Sequence, residues 1–137
     1  MSDMWQTMSI SAAGMKVEGA RVKVIAENIA NADTGPITPG GKPYQRQVIS
    51  FKNEMDRQQG INLVSVDKVA RDNSKPFITK YMPDHPGADT NGYVDLPNIN
   101  TFTEMMDMRE AQRTYEANLG MIEQSRDMMQ RTINLLQ

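Results

Sequence analysis

Apolar residues recur with helical spacing at both ends of this chain and lose that spacing between them. From Met4 to about Asn31, the residues Met8, Met15, Val22 and Ile29 fall seven positions apart, with Trp5, Ala12, Gly19 and Ala26 as a second row, which predicts one stripe on an amphipathic helix. The Ala and Gly of that second row would let a partner helix approach closely. Opposite charges stand at contact spacing beside it, Glu18 with Arg21 and Lys23 with Glu27. The C-terminal end repeats the scheme more strongly, with Met108, Tyr115, Ile122, Met129 and Leu136 seven apart and Met105, Leu119 and Ile133 extending the face. Thr101 followed by Glu104 reads as a capping box at the helix start. Gly120 costs about 1 kcal/mol relative to Ala inside a helix, so close packing or a bend is expected there.

All seven prolines and six of the nine glycines lie between positions 35 and 97, which leaves the flanks free to be helical. Inside that interval, residues 44–51, 61–66 and 76–82 are enriched in β-branched and aromatic side chains and predict short strands. Asn91-Gly92 marks a turn in the Pro- and Gly-rich stretch that follows, an ordered loop or hairpin. The expected fold is α+β, with long N- and C-terminal helices packed as a coiled-coil-like bundle and a small β-rich middle. The divisions fall at residues 1–34, 35–97 and 98–137. At 1.5 Å per residue the helices would run about 40 and about 55 Å. A middle segment of some sixty residues cannot cover two such stripes, so part of their packing is expected between subunits. In an isolated subunit the ends would then be partly disordered and fold on binding.

Composition removes several function classes. Fifteen Lys and Arg against seventeen Asp and Glu give a formal net charge of −2, and no basic run offers itself to phosphates or to an anionic membrane. Neither nucleic-acid binding nor membrane insertion is expected. Cysteine is absent, which removes disulfides and thiolate metal sites. Asp3 stands where a signal peptide needs positive charge, and no apolar run is long enough for its core, so no cleaved signal is expected.

Candidate chemistry is sparse, and no enzyme is predicted. The single histidine, His85, sits between Asp84 and Pro86 as a turn residue. Asp84, Asp89, Asn91 and Asp95 loosely resemble a calcium loop, yet Gly92 follows Asn91 where another oxygen ligand is needed, and turn chemistry explains the group better. A wall-cutting hydrolase is the less expected reading, and loss of activity on peptidoglycan after changing Glu54, Glu104 or His85 would revive it. No catalytic residue, metal or cofactor is assigned. Most of the twelve methionines lie on the two helical ends, where they fill irregular gaps and suit a surface meeting non-identical neighbours.

Three segments carry a family resemblance. Residues 9–34, SISAAGMKVEGARVKVIAENIANADT, are similar to the rod motif of flagellar axial proteins, with Asn28, Ile29, Ala30 and Asn31 at its end. Residues 105–136 resemble the helix those proteins share, notably from Ala111 to Asn118. Both motifs are common to rod and hook members. The loop YMPDHPGADTNGYVDLPNIN, with Asp84, His85, Pro86, Gly92, Tyr93, Val94, Pro97 and Asn98 in order, and the short chain length resemble the small proximal-rod members of the flagellar basal-body rod family. Gly87 departs from the acidic or polar residue usual there, with no evident consequence.

The resemblance implies a structural subunit exported by the flagellar type III apparatus. It would assemble with other copies of itself and other rod proteins into the rod that crosses the periplasm. The expected subunit contacts are Met8, Met15, Val22 and Ile29 against Tyr115, Ile122, Met129 and Leu136, with Met108 on the same row and Asn118 fixing register. A helical export chaperone or adaptor binding one flagellar client is the alternative.

Overall fold

The computed structural model describes residues 2–136, the side chain of Ser2 excepted; Met1 and Gln137, the ends of the predicted helical segments, lie outside the described residues. The fold is α+β, as expected. Helix α1 spans Ser2–Ala30 and helix α2 Thr101–Leu135, with strands β1 (Gln47–Asp56), β2 (Ile61–Arg71), β3 (Ile78–Tyr81) and β4 (Tyr93–Leu96) between them. The helices are about 44 and about 53 Å long at 1.5 Å per residue.

Local chemistry sets the boundaries. Asn31 ends α1: its Nδ2 donates to the Glu27 carbonyl at 2.8 Å, its own carbonyl accepts from Thr34 N–H at 3.1 Å, and its Oδ1 accepts from the Thr34 hydroxyl at 3.2 Å. Those contacts satisfy groups that a helix end leaves unpaired. At the start of α2 the capping box does not form. Asn100 caps instead, its Oδ1 accepting from Phe102 N–H at 3.1 Å and Thr103 N–H at 3.2 Å. Glu104 is drawn away into a buried polar cluster and does not reach back to Thr101. Leu136 falls one residue beyond the end of α2.

Two hairpins make up the β structure. β1 pairs with β2, and Asp56 organises the turn: its Oδ1 accepts from Gln58 N–H at 2.9 Å, and Gly60, at φ 67°, closes back on the Asp56 carbonyl at 2.8 Å. β1 begins three residues later than expected. Tyr44 N–H is taken by the Thr34 carbonyl and Gln47 N–H by Asn28 Oδ1, so these donors go to the end of α1, while the Arg46 carbonyl accepts from Asp72 N–H just past β2 at 2.8 Å. Both strands then run on into charged, exposed residues such as Lys52, Glu54, Asp67 and Lys68, which composition did not mark. β3 and β4 pair antiparallel from Ile78 opposite Leu96 to Tyr81 opposite Tyr93. β4 lies where a loop or hairpin was expected, and Asn91-Gly92 leads into it with Gly92 at φ 84°.

The chain divides into two compact units. One comprises the chain up to Val22, Ile49–Lys68, and the chain from Arg109 onward; the other comprises Lys23–Val48 and Val69–Met108. The second unit, here the central unit, holds most of the buried apolar side chains, Val24, Ile25, Val94 and Ile99. The first, the terminal unit, buries only Val17 and Ala111 among its described apolar residues, and also buries Ser11 and Ser125.

Candidate functional site

In the central unit, Asn28 is almost fully buried and uses the whole hydrogen-bonding capacity of its amide. Its Nδ2 donates to the Gln47 carbonyl at 2.8 Å and to Glu104 Oε2 at 3.2 Å; its Oδ1 accepts from Gln47 N–H at 2.8 Å and from the Tyr44 hydroxyl at 3.1 Å. Asn28 thus replaces a neighbouring strand for Gln47. Glu104, equally buried, also pairs with Arg46 Nε, and Arg46 Nη1 lies 3.0 Å from Asp72 Oδ2. The side chains of Tyr44, Asn28, Glu104, Arg46 and Asp72 form one connected chain of contacts.

Three titrations respond. Burial first, then the carboxylates of Glu27 and Glu104, push the Tyr44 hydroxyl above its ordinary value. Burial works against the Arg46 guanidinium, but hydrogen bonds and charge from Glu104 and Asp72 outweigh it and raise its pKa. Hydrogen bonds from Ser74, helped by Arg46 and opposed by burial, hold Asp72 below the usual carboxylate range.

The remaining motif residues are scaffold. His85 Nδ1 accepts from Gly87 N–H at 3.0 Å, which fixes the proton of the neutral ring on Nε2. Gly87 does have a consequence: a Cβ there would lie 2.2 Å from the Pro36 carbonyl oxygen. The absence of a side chain lets the two loops meet. Gly92 and Pro97 are buried, Tyr93 stacks edge-on with Tyr81 at 5.3 Å, and Ala30 and Pro86 are exposed. The loop acids serve turns, Asp89 Oδ1 accepting from the N–H groups of Asn91 and Tyr93 and Asp95 from the Thr79 hydroxyl. Among the described residues no group of three or more acids and histidines is placed to hold a metal ion. Glu54 accepts from the Ser65 hydroxyl at 3.2 Å.

The expected contact residues are spread over both units. In the terminal unit, Met8, Met15, Val22, Asn118, Ile122 and Met129 are half-buried, Tyr115 is at the edge of exposure, and Leu136 is open. Ile29 and Met108, in the central unit, are half-buried. Val22 and Tyr115 line one shallow depression together with Gly19, Gln112 and Glu116. Close helix approach occurs at Gly14, where a Cβ would lie 2.8 Å from Asn118 Nδ2, and not at Gly19, which has nothing within 4 Å. Asn118 itself donates back to the Thr114 carbonyl at 3.0 Å. Gly120 also faces open space, so no contact within the chain explains it.

On α2 the row covered within the chain is not the apolar one. Met105, Leu119 and Ile133 are exposed, whereas Glu104, Ala111, Asn118, Ser125 and Thr132, again seven apart, are buried or half-buried. Being small or polar, those five escape a search for apolar repeats.

Comparison with known proteins supplies the family. Residues 90–135, covering β4 and α2, match the family described as "Flagellar basal body rod FlgEFG protein C-terminal". The chain is 43% identical to the flagellar basal-body rod protein FlgC of Agrobacterium fabrum, over 99% of this chain and 97% of that protein. It is 33% identical to that of Borreliella burgdorferi, over 98% of each, and 34% identical to that of Salmonella typhimurium, over 92% of each. The family description covers the C-terminal part alone, whereas each of these three FlgC proteins matches over more than nine-tenths of both chains. The chain belongs to the FlgC family of flagellar basal-body rod proteins.

Proposed function

We propose that the chain is a structural subunit of the proximal rod, joined to copies of itself and to other rod proteins through its terminal helices. The observation that carries this reading is the terminal unit's shortage of buried apolar surface: Val17 and Ala111 are covered, while Met8, Met15, Val22, Ile122 and Met129 stay half open. Each such side chain leaves on the order of 1 kcal/mol to be gained by covering it. A contact joining different faces of successive subunits does not close on itself and grows a helical tube. Dense helix packing makes that tube stiff, and a stiff shaft passes on torque without chemistry of its own.

Passage through the type III export apparatus belongs to the same reading, since a terminal unit so thinly packed unfolds readily. Among the described residues no helix is long and apolar enough to cross a membrane. The chaperone or adaptor alternative draws no support from a full-length likeness to rod proteins. The test is Met15→Asp in a strain lacking the native gene. Motility and recovery of the chain in purified basal bodies should be lost while the secondary structure of the purified protein is kept. Normal incorporation would refute the assignment of this surface.

A further inference from the structure

The loop between β3 and β4 carries the chain's one Asn-Gly pair, Asn91-Gly92. Asparagine followed by glycine is chemically labile, because glycine has no side chain to shield its amide nitrogen from the asparagine carboxamide. The reaction needs only water. Hydroxide removes the Gly92 amide proton, the nitrogen attacks Asn91 Cγ, and the Cγ–Nδ2 bond breaks to release ammonia. Water then opens the five-membered imide at either carbonyl and leaves aspartate or isoaspartate at position 91.

The electrophile is available: Asn91 is exposed, and among the described residues its carboxamide has no hydrogen-bond partner. The nucleophile is not. Gly92 is buried at φ 84°, its N–H donates to the Asp89 carbonyl at 3.0 Å, and its carbonyl accepts from Met82 N–H at 2.8 Å. Asp89 pins the residues on either side, its Oδ1 accepting from Asn91 N–H at 2.8 Å and from Tyr93 N–H at 2.9 Å. Tyr81 and Pro83 pack against Gly92 so closely that a Cβ there would lie 2.8 and 3.2 Å from them, which leaves the peptide little room to turn. Ring closure requires the Asn91-Gly92 peptide to rotate and to give up these bonds.

We infer that Asn91-Gly92 is a latent deamidation site, silenced by the folded loop and released when that loop opens. Isoaspartate routes the main chain through the side chain, one methylene longer between positions 91 and 92. Gly92 N–H and carbonyl then no longer return together to Asp89 and Met82. Opening thus leaves a covalent mark, and a chain kept unfolded loses this loop permanently.

The test incubates the purified full chain at neutral pH in buffer and in guanidinium chloride. Peptide mapping by mass spectrometry and enzymatic methylation of isoaspartate follow position 91. Conversion should be at least about ten-fold slower in buffer, where only the opened population reacts. Asp89→Ala, which takes the acceptor from Asn91 and Tyr93 N–H, should speed conversion in buffer and not in denaturant. Asn91→Asp, which adds the charge without the longer backbone, should keep the parent's thermal midpoint, whereas the isoaspartate-bearing fraction should melt lower. Equal rates in buffer and denaturant would overturn the inference. So would an Asp89→Ala chain that reacts no faster in buffer, or an isoaspartate-bearing fraction that melts with the parent.

Discussion

Replacing Asn28 with alanine should cost the chain a large part of its stability. The amide makes four hydrogen bonds, to the Gln47 N–H and carbonyl, to Glu104 and to Tyr44, at 2.8 to 3.2 Å from a buried position. At about 1 kcal/mol net for each bond, their sum is about 4 kcal/mol, and water reaching the half-buried Gln47 backbone returns part of it. We expect a loss of about 3 kcal/mol, against a typical total of about 5–15 kcal/mol, and a midpoint lower by roughly 10 °C. Far-UV circular dichroism during heating and urea titration of the purified chain measures both. Tyr44→Phe removes only one of the four bonds and should cost about 1 kcal/mol. The double variant should cost less than the sum, because the same bond is deleted twice. A loss below about 1 kcal/mol for Asn28→Ala, or strict additivity with Tyr44→Phe, would refute the view that Asn28 stands in for a strand partner.

Four further outcomes follow from the geometry. Gly87→Ala should destabilise by about 3 kcal/mol, since its Cβ would meet the Pro36 carbonyl at 2.2 Å; a neutral effect in urea unfolding would contradict that close approach. Gly19→Ala should raise the stability of the free chain by about 1 kcal/mol, and Gly14→Ala by less, because only the latter meets Asn118; equal gains would count against the contact. Asp72 has a depressed folded-state pKa, so its contribution is present above about pH 4 and lost as pH falls through the folded value. Asp72→Asn should flatten that acid limb of the stability profile. Tyr44 has a raised pKa, so the folded chain holds that proton more tightly; its contribution is full below about pH 10 and lost as pH rises through the folded value, a slope that Tyr44→Phe should remove.

The helical ends were legible because repeated Met, Val, Ile and Tyr at seven-residue spacing carry their own signal. The central polar cluster was not. Asn28 and Glu104 are 76 positions apart in sequence, and nothing in either residue's surroundings announces the other. Asn28 was visible only through its place in a family motif, and Glu104 was read as a cap because its spacing from Thr101 fits one. Tertiary demand for its carboxylate overrode that local rule, and Asn100 took the capping role. The buried row Glu104, Ala111, Asn118, Ser125 and Thr132 was hidden for a related reason: its residues are small or polar, and they are covered because neighbouring chain approaches closely, not because they are greasy.

The central claim is that the half-open apolar surface of the terminal helices is covered by neighbouring rod subunits, and a density map of the basal body tests it most directly. With this chain placed in the proximal rod, Met8, Met15, Val22, Tyr115, Ile122 and Met129 should lie in van der Waals contact with helices of adjacent subunits. A map in which that surface faces solvent or the central channel, with the subunit held by its β hairpins alone, would contradict it.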